Sequence, residues 1–186
     1  MIQKAVAFAT KAHSGAVRKG TLIPYITHPL EAAVIVSMIT DDEEMVAAAL
    51  LHDVIEDAGV TREVLEKEFG PRVASLVWEE TEDKTKSWHE RKAATIEHLR
   101  CASLDVKIIT LGDKLSNMRC TARDYLAIGD GIWNRFNEKR KQHHKWYYEN
   151  VARELSELAE YPSYQEYLNL CRLVFGNMND YLDEEI

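Results

Sequence analysis

The stretch Leu50-Leu51-His52-Asp53-Val54-Ile55-Glu56-Asp57 sets an adjacent histidine–aspartate pair against an apolar run, Met45–Leu51, and follows it with two more carboxylates. Ala47–Leu51 directs this segment into a core as a helix. On a helix, positions four apart share a face, which sets Glu56 beside His52 and Asp57 beside Asp53. A neutral imidazole next to a carboxylate offers one nitrogen and one or two oxygens to a divalent cation. Three carboxylates within two turns repel one another unless solvent, basic groups or a cation offsets them. An exposed acidic helix end would read the same way, but the apolar run ahead of it argues against that.

The helical period continues outward in both directions. Ile2, Val6, Ala9 and Ala12 repeat at close to 3.6 residues over 2–13. A polar, glycine-containing loop follows over Ser14–Thr27, and Pro29 sits in what reads as the first turn of a helix. Asp41 with Glu44 resembles a capping box opening the helix through Met45–Leu51, which Gly59 ends. Thr61 caps the next helix, Gly70 closes it, and Pro71 opens another to about Glu80. The charged segment Glu79–Lys86 reads as an exposed connection. Ser87 with Glu90 and Ser163 with Glu166 are two further capping-box patterns. Val106, Ile109 and Leu111 lead a long helix past Arg119. Gly129 and Gly131 break the pattern, and a last long helix is expected from about Lys139 to Ala159, ahead of Pro162. No period-2 strands separated by hairpin turns are apparent. The expectation is an all-α helical bundle of one domain over 1–186, with core motifs at about 5–120 and C-terminal helices over 130–176 packing on them.

Composition narrows the function classes. The chain has 186 residues, 46% of them hydrophobic and 29% charged, which suits a folded domain large enough to bury a core without disulfides. Its uninterrupted apolar runs fall well short of the roughly 20 residues a bilayer span needs, and no signal-like segment opens it. The three cysteines, an odd number in no pairing motif, fit a reducing compartment, so a cytoplasmic location without membrane partners is expected. A net charge of −8 argues against nucleic-acid binding. An anionic ligand would need a local basic pocket or a metal ion. A monomer and a homo-oligomer are equally compatible with this size.

Two further clusters carry chemistry. His28 lies in Tyr25-Ile26-Thr27-His28-Pro29, at a loop-to-helix junction. Asp113 lies in Leu111-Gly112-Asp113-Lys114-Leu115-Ser116-Asn117-Met118-Arg119, a polar set on an apolar helix. Alone, His28 would read as a structural histidine and Asp113 as an ion-pair partner of Lys114 or Arg119. With His52 and Asp53 they complete a two-histidine, two-aspartate ligand set.

In their order along the chain, the Arg18-Lys19-Gly20 loop, Tyr25-Ile26-Thr27-His28-Pro29, the His52–Asp57 block and Asp113–Arg119 resemble the HD-domain phosphohydrolases. Within that group they are similar to the hydrolase half of RelA/SpoT-type proteins and to the stand-alone small alarmone hydrolases. The resemblance implies one divalent metal, usually Mn²⁺, held by His28, His52, Asp53 and Asp113. It also implies that Glu56 and Asp57 act on the attacking water. The implied reaction removes pyrophosphate from the 3′ position of ppGpp and leaves GDP, as in the stringent response. The mixed nitrogen and oxygen set suits a borderline ion such as Mn²⁺, and other divalent ions fit as well. Four protein ligands would leave an octahedral ion two positions for water and a phosphate oxygen.

The substrate would be a small nucleotide. Arg18 and Lys19 precede His28 and border the same pocket, and the resemblance assigns them to nucleotide contact. Asn117, one turn beyond Asp113, could bond a ribose or an ordered water; Lys92 and Tyr147 are weaker candidates for phosphate contact. His13 reads as structural. His89, His98, His143 and His144 lack partners at ligand spacing, and an adjacent pair diverges by about 100° on a helix. Trp78, Trp88, Trp133 and Trp146 read as core or interface aromatics, and the basic run Arg135–Lys145 as a solvated helix face. Alarmone hydrolases more often carry Ala, Arg and His where this chain has Gly112, Lys114 and Ser116. That departure leaves three functions open: ppGpp hydrolysis, a phosphatase of another nucleotide such as NADPH or a deoxynucleotide, and a non-catalytic nucleotide sensor.

Overall fold

The structure, a computed structural model, describes residues 1–177. Helices follow one another as α1 (Ile2–Ala12), α2 (Thr27–Ser37), α3 (Glu43–Leu51), α4 (Val54–Ala58), α5 (Arg62–Phe69) and α6 (Pro71–Glu80). After these come α7 (Trp88–Cys101), α8 (Leu104–Ile128), α9 (Lys141–Glu154) and α10 (Pro162–Phe175). Two 3₁₀ turns, Gly129–Arg135 and Ser156–Leu158, flank α9. Among the described residues the one extended pairing is an isolated bridge between Val17 and Pro24 in the α1–α2 loop, so the all-α class holds. No described helix is long and apolar enough to cross a membrane.

α8 is the axis of the bundle. Its apolar stripe, Val106, Ile109, Leu111, Leu115 and Met118, is fully buried, each side chain contributing roughly 1.5–3 kcal/mol. α2 and α10 pack on it most closely, and α3 and α6 add further contacts. α3 in turn carries α1 and α2; Ala47, Ala48 and Ala49 have no exposed surface, so the backbones approach closely. α7 pairs with α9, and α9 with α10, closing the C-terminal side of the bundle. Residues 178–186, included in the one-domain reading, lie outside the described residues.

The caps show where local chemistry sets the ends. Thr61 accepts from the Val64 amide, Ser87 and Glu90 form a complete capping box, Pro71 occupies the first turn of α6, and Gly59 ends α4 in the left-handed region at φ 67°. Other expectations shift. The cap of α3 is Asp42 rather than Asp41: its carboxylate accepts from the amides of Glu44 and Met45, while Arg72 holds its other oxygen at 2.8 Å. No capping box forms at Ser163. Pro162 lacks an N–H and takes the first helical position, Ser163 is buried in that turn, and Glu166 faces Arg119 instead. The expected Lys139–Ala159 helix is shorter, because the chain tightens after Glu154 and turns both Leu155 and Leu158 into the core.

Two corrections bear on the site. The His52–Asp57 segment is not one continuous helix: α3 ends at Leu51 and α4 starts at Val54. The His52 Nδ1–H donates to the Ala49 carbonyl at 2.8 Å, an acceptor that an unbroken helix would offer to the Asp53 amide. The Asp57 amide still bonds to the Asp53 carbonyl at 2.8 Å, so the chain kinks there rather than turning away. Glu79–Lys86 is exposed only from Asp83 onward; Glu80 and Glu82 turn inward to line a cleft.

Candidate functional site

The four elements carrying the motifs converge on one cleft of about 590 Å³. All eleven residues singled out in the sequence line it: Arg18 and Lys19 from the α1–α2 loop, His28 from α2, His52 and Asp53 from the α3–α4 kink, and Glu56 and Asp57 from α4. Lys92 enters from α7, Asp113 and Asn117 from α8, and Tyr147 from α9.

The potential metal ligands meet at its floor. His52 Nε2 lies 3.0 Å from Asp53 Oδ2, and His28 Nε2 lies 3.1 Å from Asp113 Oδ1. The two Nε2 atoms are 3.2 Å apart, and the remaining histidine–carboxylate distances are 3.6 and 3.7 Å. His28, His52 and Asp113 are buried. An octahedral ion with bonds of about 2.1 Å sets neighbouring ligand atoms about 3.0 Å apart, close to this spacing.

Hydrogen-bond logic shows what these atoms want between them. His52 Nδ1 can only donate to the Ala49 carbonyl. Ser116 Oγ donates to Glu31 Oε2 at 2.7 Å, so at 2.8 Å it accepts from His28 Nδ1. Both rings are thus protonated at Nδ1 and aim Nε2 at the carboxylates. Burial opposes a charge on His52, yet Asp53 and Asp113 push its pKa up to about 10, whereas burial holds His28 below its ordinary value. Burial works against ionised Asp53, but His52 and His28 keep it below the usual carboxylate range; for Asp113, Lys114 and His28 do the same. The two imidazoles and two carboxylates therefore enclose a place for positive charge, which a divalent cation fits.

The carboxylate pair lies beside this cluster. The Tyr25 hydroxyl stands 2.7 Å from Asp53 Oδ2 and 3.1 Å from Asp57 Oδ2, bridging the two carboxylates. Burial, then Glu82 and Asp53, raise the pKa of Glu56. Lys84 meets Asp57 Oδ1 and stands 3.6 Å from Glu56 Oε1.

The walls carry the basic and aromatic groups. Arg18 donates to Asn117 Oδ1 at 2.9 Å, and Asn117 donates to Asp113 Oδ1. Lys19 is exposed at the rim. Lys92 pairs with Glu82 at 2.7 Å and lies over the Tyr147 ring. The Tyr147 hydroxyl is buried with no hydrogen-bond partner among the described residues, an orphan that suits a ligand or water in the cleft.

Several wall residues were not anticipated. Glu80, Glu82 and Lys84 were hidden in a segment read as exposed. Lys114 is buried against Asp113, and Tyr25 stood inside a quoted motif without a role, as did Ser116, which contacts His28 from behind the wall. Of the basic run, Arg135 enters the cleft wall, paired with Asp124 at 2.8 Å; Arg140 and Lys141 pair with Glu138 and Asp130 away from the metal cluster. Trp88, Trp133 and His144 also line the cleft, His144 stacked on Trp133 and bonded to the Glu138 carbonyl. His13 is buried against Tyr25. His89 stacks on Trp146, and His98 and His143 pair with Glu79 and Glu138.

Fold and site together define a helical hydrolase domain, and comparison agrees: the HD domain family matches residues 5–139, and the chain belongs to that family. Its relatives include proteins described as guanosine-3′,5′-bis(diphosphate) 3′-pyrophosphohydrolase MESH1. The Drosophila melanogaster protein is 39% identical over 125 residues, covering 66% of each chain. The Xenopus tropicalis protein is 42% identical over 123 residues, 64% of this chain and 68% of the relative. A Brucella ovis GTP pyrophosphokinase rsh is 38% identical over 125 residues, but this chain spans only 16% of its length. Among solved structures, one described as a metazoan orthologue of SpoT that hydrolyses ppGpp superposes with a TM-score of 0.76 at 30% identity, covering 92% of this chain and 93% of the other. A Listeria monocytogenes EGD-e crystal structure gives a TM-score of 0.74 at 34% identity over 81% and 99%.

Proposed function

We propose that this chain is a divalent-metal-dependent hydrolase that converts ppGpp and water to GDP and pyrophosphate, with Mn²⁺ as its metal. The observation that carries the reading is the cluster of two Nδ1-protonated imidazoles and two aspartates with a carboxylate pair one turn beyond it. His28, His52, Asp53 and Asp113 would hold the cation, which when bound lowers the pKa of water and offsets charge on phosphoryl oxygens. Glu56 and Asp57 orient the attacking water and take its proton; burial and the neighbouring carboxylates Glu82 and Asp53 raise the pKa of Glu56, which makes it a more basic carboxylate for that step. Arg18 and Lys19 contact the nucleotide, Lys92 and the orphan Tyr147 hydroxyl its phosphates, and Asn117 its ribose. The metazoan relatives, described as ppGpp 3′-pyrophosphohydrolases, support this substrate. The reading places the protein in the cytoplasm, acting on a free nucleotide rather than a nucleic acid.

The test is turnover of ppGpp by purified protein with added Mn²⁺, following GDP and pyrophosphate against an EDTA-treated control. EDTA-sensitive pyrophosphate release is expected. Glu56→Gln and Asp57→Asn should keep their metal and lose about 10²–10⁴-fold in rate. Tight ppGpp binding without turnover would point to a sensor, and preferential turnover of NADPH or a deoxynucleotide would replace the substrate.

A further inference from the structure

Ser116 lies behind His28, and its surroundings give it a defined task. It is buried, 1% exposed, on the face of α8 that meets α2. Its oxygen touches two groups: His28 Nδ1 at 2.8 Å and Glu31 Oε2 at 2.7 Å. A serine hydroxyl has one proton. Glu31 is a carboxylate whose other oxygen accepts from Arg119 Nη1 at 3.1 Å, so it can only accept, and the hydroxyl proton is committed to it. The Ser116 oxygen is then free only to accept, which requires the proton of neutral His28 to sit on Nδ1 and the lone pair on Nε2. Arg119 is fixed in turn by a two-point pair with Glu166 of α10, at 2.6 and 2.7 Å.

We propose that Glu31 and Ser116 form a positioning relay for His28: the carboxylate orients the hydroxyl, and the hydroxyl selects the imidazole tautomer that presents Nε2 to a metal. This rests on the metal-site reading above. Partners of this kind behind a ligating histidine commonly change metal affinity by about 10–100-fold when removed. The relay also makes an asymmetric prediction. Without Glu31, the Ser116 proton is free to turn toward His28 Nδ1, which would move the ring proton to Nε2 and block the ligand atom.

The experiment uses the full chain carrying Glu31→Ala or Ser116→Ala. ¹⁵N NMR of the histidine side chains in the metal-free state, confirmed folded by circular dichroism, gives the His28 tautomer; competition titration gives Mn²⁺ affinity. Wild type should show the Nδ1–H form. Glu31→Ala should populate the Nε2–H form and weaken Mn²⁺ binding by about 10–100-fold; Ser116→Ala should lose the preference between the two forms and weaken binding comparably. Glu31 is half-exposed on α2, so its variant keeps the test alive if Ser116→Ala does not fold. An Nδ1–H tautomer and wild-type affinity retained in Glu31→Ala would overturn the relay while leaving the metal site intact. A wild-type chain that binds no Mn²⁺ would overturn the site reading itself.

Discussion

At the scale of single residues, the cleft is governed by how burial and neighbouring charge divide protons among its carboxyl groups. Glu80 shows this on the cleft wall. Burial raises its pKa to about 7 from an ordinary 4.5, outweighing the opposing charge of Lys114 and a hydrogen bond from Thr110 at 2.6 Å. An acid whose pKa is raised on folding binds its proton more tightly folded than unfolded. Its ionisation therefore lowers stability as pH climbs from 4.5 toward 7, and the loss is complete above that. Glu80→Gln removes this loss while keeping an acceptor for Thr110. In EDTA, the melting temperature of the variant relative to wild type should be higher at pH 8 than at pH 5; a difference that stays constant with pH would refute the assignment. None of this could be read from the chain itself. Glu80 sits in a run of charged letters, and only the approach of α8 turns its carboxylate away from water.

At the scale of elements, the proposed metal site depends on how closely α2 and α8 approach, because α2 carries His28 and α8 carries Asp113. Gly112 sets that distance. A Cβ placed there would lie 2.8 Å from Val36 Cγ2 and 2.9 Å from the Ala32 carbonyl oxygen, and the carbonyl, fixed in α2, has no means of yielding. Gly112→Ala should therefore push the helices apart and destabilise the fold by about 1–3 kcal/mol, read as a lower urea midpoint. Mn²⁺ affinity should fall with it, since His28 and Asp113 separate. An alanine variant with wild-type midpoint and affinity would show that the helices tolerate the shift. Ser116, one turn further along α8, also joins the two helices, through Glu31 Oε2 at 2.7 Å and His28 Nδ1 at 2.8 Å.

At the scale of the whole molecule, a chain of net charge −8 lines one cleft with Arg18, Lys19, Lys84, Arg91, Lys92, Lys114 and Arg135. Several of these cations are already paired: Arg91 and Lys92 with Glu82, Arg135 with Asp124. Lys19, exposed at the rim, is placed to meet an incoming polyanion against an unfavourable overall field. Raising NaCl from about 0.05 to about 0.5 M should raise KM for ppGpp severalfold while kcat changes by less than about twofold. The double variant Arg18→Ala with Lys19→Ala should start from a higher KM and lose most of that salt dependence. A KM in wild type that ignores salt would mean that the rim cations do not attract the substrate.

The sequence by itself determined the helical class, most of the caps and the residue types that gather at the floor of the cleft. Each of these follows from short-range rules: a 3.6-residue period, a side chain bonding an amide two or three residues on, an aspartate beside a histidine. It could not place the α3–α4 kink, because that depends on His52 bonding back to Ala49. Nor could it show that Glu80 and Glu82 face inward, or that Ser116 joins Glu31 across 85 residues. Only the tertiary structure decided these, for a physical reason: the proton positions and charge balance of a buried site are set by atoms from helices distant in sequence, which touch only after the core between them has closed.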